Sequence, residues 1–161
     1  MLQDDDSRVI DRSTLVERVK VAREKGLRVV FANGCFDVLH AGHVRYLEGA
    51  KSLGDLLVVG VNSDEQVSKQ KGAGRPILSA RERAELVASL ESVDLVTIFD
   101  EPTVEKLLLA LTPDVHAKGT DYTVDTVPER EVVKSFGGQV AIVGDSKDHS
   151  TSDMIARLLE T

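Results

Sequence analysis

The chain has 161 residues, a formal net charge of −7, and 42% hydrophobic against 29% charged residues. That length suits one domain around a single core, and that balance excludes a disordered or a membrane-embedded chain. The acidic excess argues against nucleic acid or a membrane surface as partner, since both demand neutralisation of many phosphates, but a few basic groups such as Lys69, Lys71, Arg75 and Lys118 can still build a local site for a small phosphate ligand.

No apolar run approaches the roughly 20 residues that cross a bilayer, and the acidic start lacks a cationic, then apolar, secretory pattern. Cys35 is the single cysteine, so no internal disulfide can form and a cytoplasmic location is expected. Residues 1–12 are expected to be a loose charged arm ahead of a domain over 13–161. A helix is predicted over 14–25, with Leu15, Val19 and Ala22 on one face, Thr14 and Glu17 at capping-box spacing, and Gly26 as the stop. An apolar strand over 27–32 follows, then a helix over 43–53 and a second apolar strand over 55–61. Ser79 and Glu82 box the start of a helix over 80–90, which leads to a strand over 94–99. Pro102 suits the first turn of a helix over 102–111. A strand over 115–118, a helix over 128–136, a strand over 139–143 and a helix over 152–159 complete the chain.

About five strands alternate with helices, and runs such as Arg28-Val29-Val30-Phe31 and Leu56-Leu57-Val58-Val59 imply burial on both faces. The expected fold is therefore α/β, a single doubly wound parallel sheet flanked by helices. Ligands of such sheets bind beyond the carboxyl ends of the strands. Polar chemistry gathers there: Asn33 to His43 after the first strand, Asn62-Ser63-Asp64 after the second, Gly119-Thr120-Asp121-Tyr122 after the fourth, and Gly144 to Thr151 after the fifth. His40 and His43 stand three apart at a helix start, on one face and near the positive end of the helix dipole, where phosphate is a natural guest. Gly42 between them lets backbone approach a ligand closely. Two capping histidines, or a zinc site made with Cys35, are the alternatives for this cluster. Lys71-Gly72-Ala73-Gly74-Arg75 can likewise be a solvated loop, Ser150 or Thr151 an ordinary N-cap, and Asp121 and Tyr122 turn residues.

The run from Phe31 to His43 resembles the signature of the H-x-G-H nucleotidylyltransferase superfamily. Together with Gly60 to Asp64, Lys71 to Ile77, Lys118 to Tyr122 and His149 to Ser152, it is most similar to the heptose 1-phosphate adenylyltransferases, over nearly everything after residue 12. The resemblance implies a Rossmann-like domain that transfers AMP from ATP to D-glycero-D-manno-heptose 1-phosphate, releasing pyrophosphate and giving ADP-heptose for bacterial surface polysaccharide. It implies His40, His43 and Lys71 as the catalytic groups. Asn33, Gly34, Cys35, Phe36, Gly42, His43, Lys118, Asp121, Ser150 and Thr151 would bind the nucleotide, the last two at its β/γ end, and Asp37, Asp64 and Arg75 would bind substrate. It implies Mg²⁺ carried mainly on the nucleotide phosphates, with no protein metal ligands, and a homodimer. An acceptor phosphate is already a competent nucleophile, so positioning and charge stabilisation suffice and no strong base or covalent intermediate is needed. Two rivals remain open: a cytidylyltransferase acting on glycerol 3-phosphate or a related alcohol phosphate, and a non-catalytic nucleotide-binding sensor module.

Overall fold

The computed structural model describes residues 7–145 and 151–160. Strands β1 (Val29–Gly34), β2 (Leu56–Asn62), β3 (Leu95–Phe99), β4 (Val115–Lys118) and β5 (Gln139–Ile142) form one sheet in the order β3-β2-β1-β4-β5, with every pair parallel. The chain winds outward from β1 to β3, then returns to the opposite side of β1. The order therefore reverses between β1 and β4, the place where doubly wound sheets open a ligand crevice.

Helices α2 (Ala41–Lys51) and α4 (Ala80–Ala88) pack Leu47, Ala50, Ala84 and Val87 against Val30, Ala32, Leu57 and Val59. On the other face, α1 (Arg12–Glu24), α5 (Glu105–Leu111) and α6 (Arg130–Ser135) bring Leu15, Val19, Leu107, Leu108 and Val133 onto Val29, Phe31 and Val58. Alternate strand residues thus enter different cores, which is why the strands read as unbroken apolar runs. Each fully buried aliphatic side chain adds about 1.5–3 kcal/mol of transfer free energy, and Leu107→Ala would cost about 2–5 kcal/mol with its cavity. Among the described residues no helix is long and apolar enough to cross a membrane.

Several boundaries differ from expectation for local reasons. Helix α1 starts at Arg12 because Asp11 caps it, its Oδ1 accepting from Thr14 N at 2.8 Å, rather than the expected Thr14 and Glu17. Part of the expected arm is tied to the domain: Val9 pairs in parallel with Val96, and Ile10 N donates to Val96 O at 2.9 Å, while residues 1–6 lie outside the described residues. Residues 8–10 thereby cover the outer edge of β3, which would otherwise present unpaired amides. Helix α3 (Asp64–Lys71) has no counterpart in the expected elements, since its eight residues bury only Gln66 and Val67. Its signal is the N-cap, where Ser63 Oγ accepts from Gln66 N at 3.3 Å. The Ser79–Glu82 box forms as expected, with both bonds at 3.3 Å. Helix α7 (Thr151–Leu159) begins one residue earlier than expected, and α5 begins beyond Pro102.

Candidate active site

Beyond the carboxyl ends of β1 and β4 lies an open cleft of about 470 Å³, lined by the turns that follow these two strands and by the start of α2. Its first wall is built by the loop after β1. Phe36 and Val38 both adopt left-handed backbone, with φ of 50° and 63°, a costly conformation for a β-branched residue. Asp37 between them supplies the restraint. Its Oδ1 accepts from Ile77 N and Leu78 N, both at 3.0 Å, and its Oδ2 accepts from Ile77 N and Arg75 Nε, both at 2.8 Å. Burial opposes the charged carboxylate, but the Ile77 and Leu78 amides and Arg75 outweigh it and hold the group below its ordinary range. With a side chain 1% exposed and its oxygens engaged by Ile77, Leu78 and Arg75, Asp37 lines the cleft and fastens its loop.

The fastened loop delivers His40 to the N-cap of α2 in extended backbone, φ −137° and ψ 174°. His40 Nδ1 accepts from Gly42 N at 3.1 Å, and His40 N donates to His43 Nδ1 at 3.3 Å. The two rings stack with centroids 3.9 Å apart, and the Phe36 ring meets His43 edge-on at 5.4 Å. These bonds assign the proton of each ring to Nε2. Burial, then the neighbouring His40, pushes His43 down to about 4, so at neutral pH it is an uncharged donor. Capping and phosphate binding coexist here, because they use different nitrogens of the same rings.

At the switch point itself, Asn33 meets His116 across β1 and β4. His116 is fully buried, its Nε2 lies 2.9 Å from Asn33 Oδ1, and its Nδ1 has no partner among the described residues. Burial, then Lys118, pushes His116 down to about 3. A bare buried lone pair costs less than a buried N–H without an acceptor, which assigns the His116 proton to Nε2 and leaves the Asn33 amide N–H groups for the cleft. Tyr46 of α2 donates to Ala117 O at 2.6 Å, tying α2 to β4, and burial raises its hydroxyl well above the usual range.

The structure brings most expected site residues to this one cleft. Gly34, Cys35, Gly42, Lys71, Arg75, Lys118, Asp121 and Thr151 all line it, together with Asn33, Phe36 and the two histidines. Asp64 does not: at the first position of α3, its Oδ1 accepts from Arg83 Nη2 at 2.8 Å. Ser150 lies outside the described residues. Cys35 turns toward Asn62 and Gln70, 3.9 and 3.8 Å from their oxygens, and burial raises its thiol, so it presents no thiolate beside the histidines. Among the described residues no group of three or more His, Cys, Asp or Glu side chains is placed to hold a metal ion.

A family model described as Cytidylyltransferase-like matches residues 31–157. The chain belongs to that family. It is a nucleotidyltransferase, and the matched span takes in every wall of the cleft. A bifunctional protein HldE from Pelobacter propionicus is 47% identical over 157 residues, which is 98% of this chain and 32% of that protein. The HldE of Methylobacillus flagellatus is 50% identical over 151 residues, 94% of this chain and 31% of its own length. The chain thus spans about a third of the length of these relatives. A lipopolysaccharide core biosynthesis protein from Thermoplasma volcanium has the same fold in its crystal structure, with a TM-score of 0.62 and 33% identity over 77% of this chain and 100% of that one.

Four residues that shape the cleft were missed in the sequence: Tyr46, Arg83, His116 and Glu129. Arg83 is wholly buried and ties the loop ends together, donating to Leu78 O, Cys35 O and Asn62 O at 2.7–2.9 Å. Its nearness to Val87 on the inward face of α4 is the hint, since an arginine there must find several acceptors.

Proposed function

We propose that the protein transfers AMP from ATP to D-glycero-D-manno-heptose 1-phosphate in the cytoplasm, releasing pyrophosphate. The observation that carries this reading is the stacked pair His40 and His43 at the start of α2, whose Nδ1 atoms are occupied by backbone amides, so that each ring carries its proton on Nε2. An oxygen of the acceptor phosphate attacks the α-phosphorus, and the bond to pyrophosphate breaks as the new P–O bond forms. Charge grows on the equatorial oxygens and the leaving group, where fixed neutral donors and the N-terminal amides of α2 stabilise it without reorganising. His43 gives up no proton in this step. Lys71 at the end of α3 and Arg75 beyond it place positive charge along the same cleft. Thr151 in the first turn of α7 supports a β/γ-phosphate position there, with Ser150 beside it in sequence.

The donor set of the cleft, rich in histidine, lysine and amides and without a carboxylate cage among the described residues, suits Mg²⁺ carried on substrate phosphates. When bound, that ion would neutralise charge on the leaving pyrophosphate. Support for the sugar-phosphate branch comes from the HldE relatives, from the lipopolysaccharide-related structure and from the motif resemblance. A homodimer completes the proposal, in keeping with the commonness of twofold assemblies, and sedimentation equilibrium checks it.

The test is pyrophosphate release by the full chain with ATP, heptose 1-phosphate and Mg²⁺, abolished by chelation and restored by the ion. Release with CTP and glycerol 3-phosphate but none with ATP would replace this reading with the cytidylyltransferase one. No turnover with any triphosphate would leave the sensor module.

A further inference from the structure

The cleft extends to both sides of the carboxyl edge of the sheet. His40, His43 and Tyr46 belong to α2, which packs on the face of Val30 and Ala32. Lys118 follows His116 by two residues on β4, and His116 is paired with Phe31, so both point to the opposite face, where α6 packs. On that side two opposite charges share the cleft with no hydrogen bond between them, though Glu129 favours the charged form of Lys118. The Lys118 residue is 8% exposed, its ammonium sits 4.7 Å from the Tyr122 ring centroid, and none of the described residues accepts a hydrogen bond from it. Glu129, just before α6, also lines the cleft, and its Oε2 is buried without a hydrogen-bond partner among the described residues.

Resting on the proposed function, we propose that Glu129 and Lys118 form the subsite that reads the acceptor, with the Glu129 carboxylate accepting from sugar hydroxyls and Lys118 meeting the acceptor's phosphate. A buried carboxylate oxygen accepts only, so its complement is an O–H or N–H donor; a buried ammonium donates only, so its complement is an anion. A phosphorylated polyol carries both. Transfer between two anionic substrates also needs two binding halves, and the α2 half is already committed to the triphosphate. The ribose of the nucleotide is the other source of hydroxyls, and the experiment separates it from the acceptor.

Glu129→Gln is compared with the wild-type chain for KM and kcat toward ATP and heptose 1-phosphate, and toward 2′- and 3′-deoxy ATP and deoxy sugar 1-phosphates. Loss of a charge-assisted bond to a hydroxyl predicts an acceptor KM raised about tenfold or more, with the KM for ATP within about twofold and with weakened discrimination against the deoxy acceptors. An equal change in both KM values, altered discrimination against deoxy ATP instead, or undiminished discrimination among acceptors would overturn the assignment. Should the wild type accept only another alcohol phosphate, the proposed reaction falls while the same comparison, run on that acceptor and its deoxy form, still decides the role of Glu129. Should there be no turnover, calorimetry with heptose 1-phosphate and a non-hydrolysable ATP analogue decides it, and absence of acceptor binding overturns it.

Discussion

Asp37→Asn is the substitution whose effect the structure defines most fully. The carboxylate takes four contacts at 2.8–3.0 Å from Ile77 N, Leu78 N and Arg75 Nε. Asparagine keeps one oxygen for the two amides but sets an NH₂ against Arg75, whose side chain is 14% exposed and so poorly compensated by water. Breaking a buried ion pair from one side costs about 3–5 kcal/mol, and the partial exposure of Arg75 favours the lower end, about 3 kcal/mol. At about 2–4 °C per kcal/mol for a domain of this size, the melting midpoint should fall by roughly 6–12 °C. The loop also loses what holds Phe36 and Val38 in left-handed backbone, so turnover should fall at temperatures where the variant remains folded. Calorimetry beside steady-state kinetics provides the check. A midpoint within 2 °C of the wild type, roughly 1 kcal/mol or less by the same conversion, would refute the restraint assigned to Asp37.

Other outcomes follow from the same geometry. His43→Ala should lose about a hundredfold to a thousandfold in single-turnover AMP transfer while nucleotide affinity changes much less, and a stable, fully active variant would remove His43 from the chemistry. His43 and His116 are both held neutral, with folded values of about 4 and about 3 below the ordinary 6.5, so protonation favours unfolding. Their contribution to stability is full above pH 6.5 and declines as pH falls toward those folded values; His116→Leu should flatten this decline in a series of thermal melts, and an unchanged slope would contradict it. Lys71→Ala should raise the KM for ATP, because a lysine beside phosphate gives charge-assisted contacts that alanine cannot replace. Unchanged constants would place Lys71 on a solvated turn.

Much of what depended on local pattern was legible in the sequence, although Asp11 rather than Thr14 caps α1 and the Ser63 cap of α3 went unread. The apolar runs of β1 and β2, the Ser79–Glu82 box and the His40–His43 spacing each state their physics within a few residues, and together they located the cleft. What depended on partners distant along the chain was not. Asp37 looks like one more polar group in a polar loop until Ile77 and Leu78 fold back onto it, and Asp64 looks like a ligand until Arg83 reaches it. Helix α3 hid because a mostly exposed helix needs little apolar periodicity, its stability coming from its cap and from Val67. His116 and Glu129 show the same limit from the other side. Each occupies an unremarkable position on a strand or before a helix, and only burial reveals that one orients Asn33 and the other keeps an oxygen unpaired.

The most direct test of the central claim is a competition: the full chain with Mg²⁺, heptose 1-phosphate and equal concentrations of ATP and CTP, with products identified by mass spectrometry. The account predicts ADP-heptose with one pyrophosphate per product formed, and its loss in His43→Ala. A cytidylyl product in place of ADP-heptose, or ADP-heptose formed undiminished by His43→Ala, would contradict it.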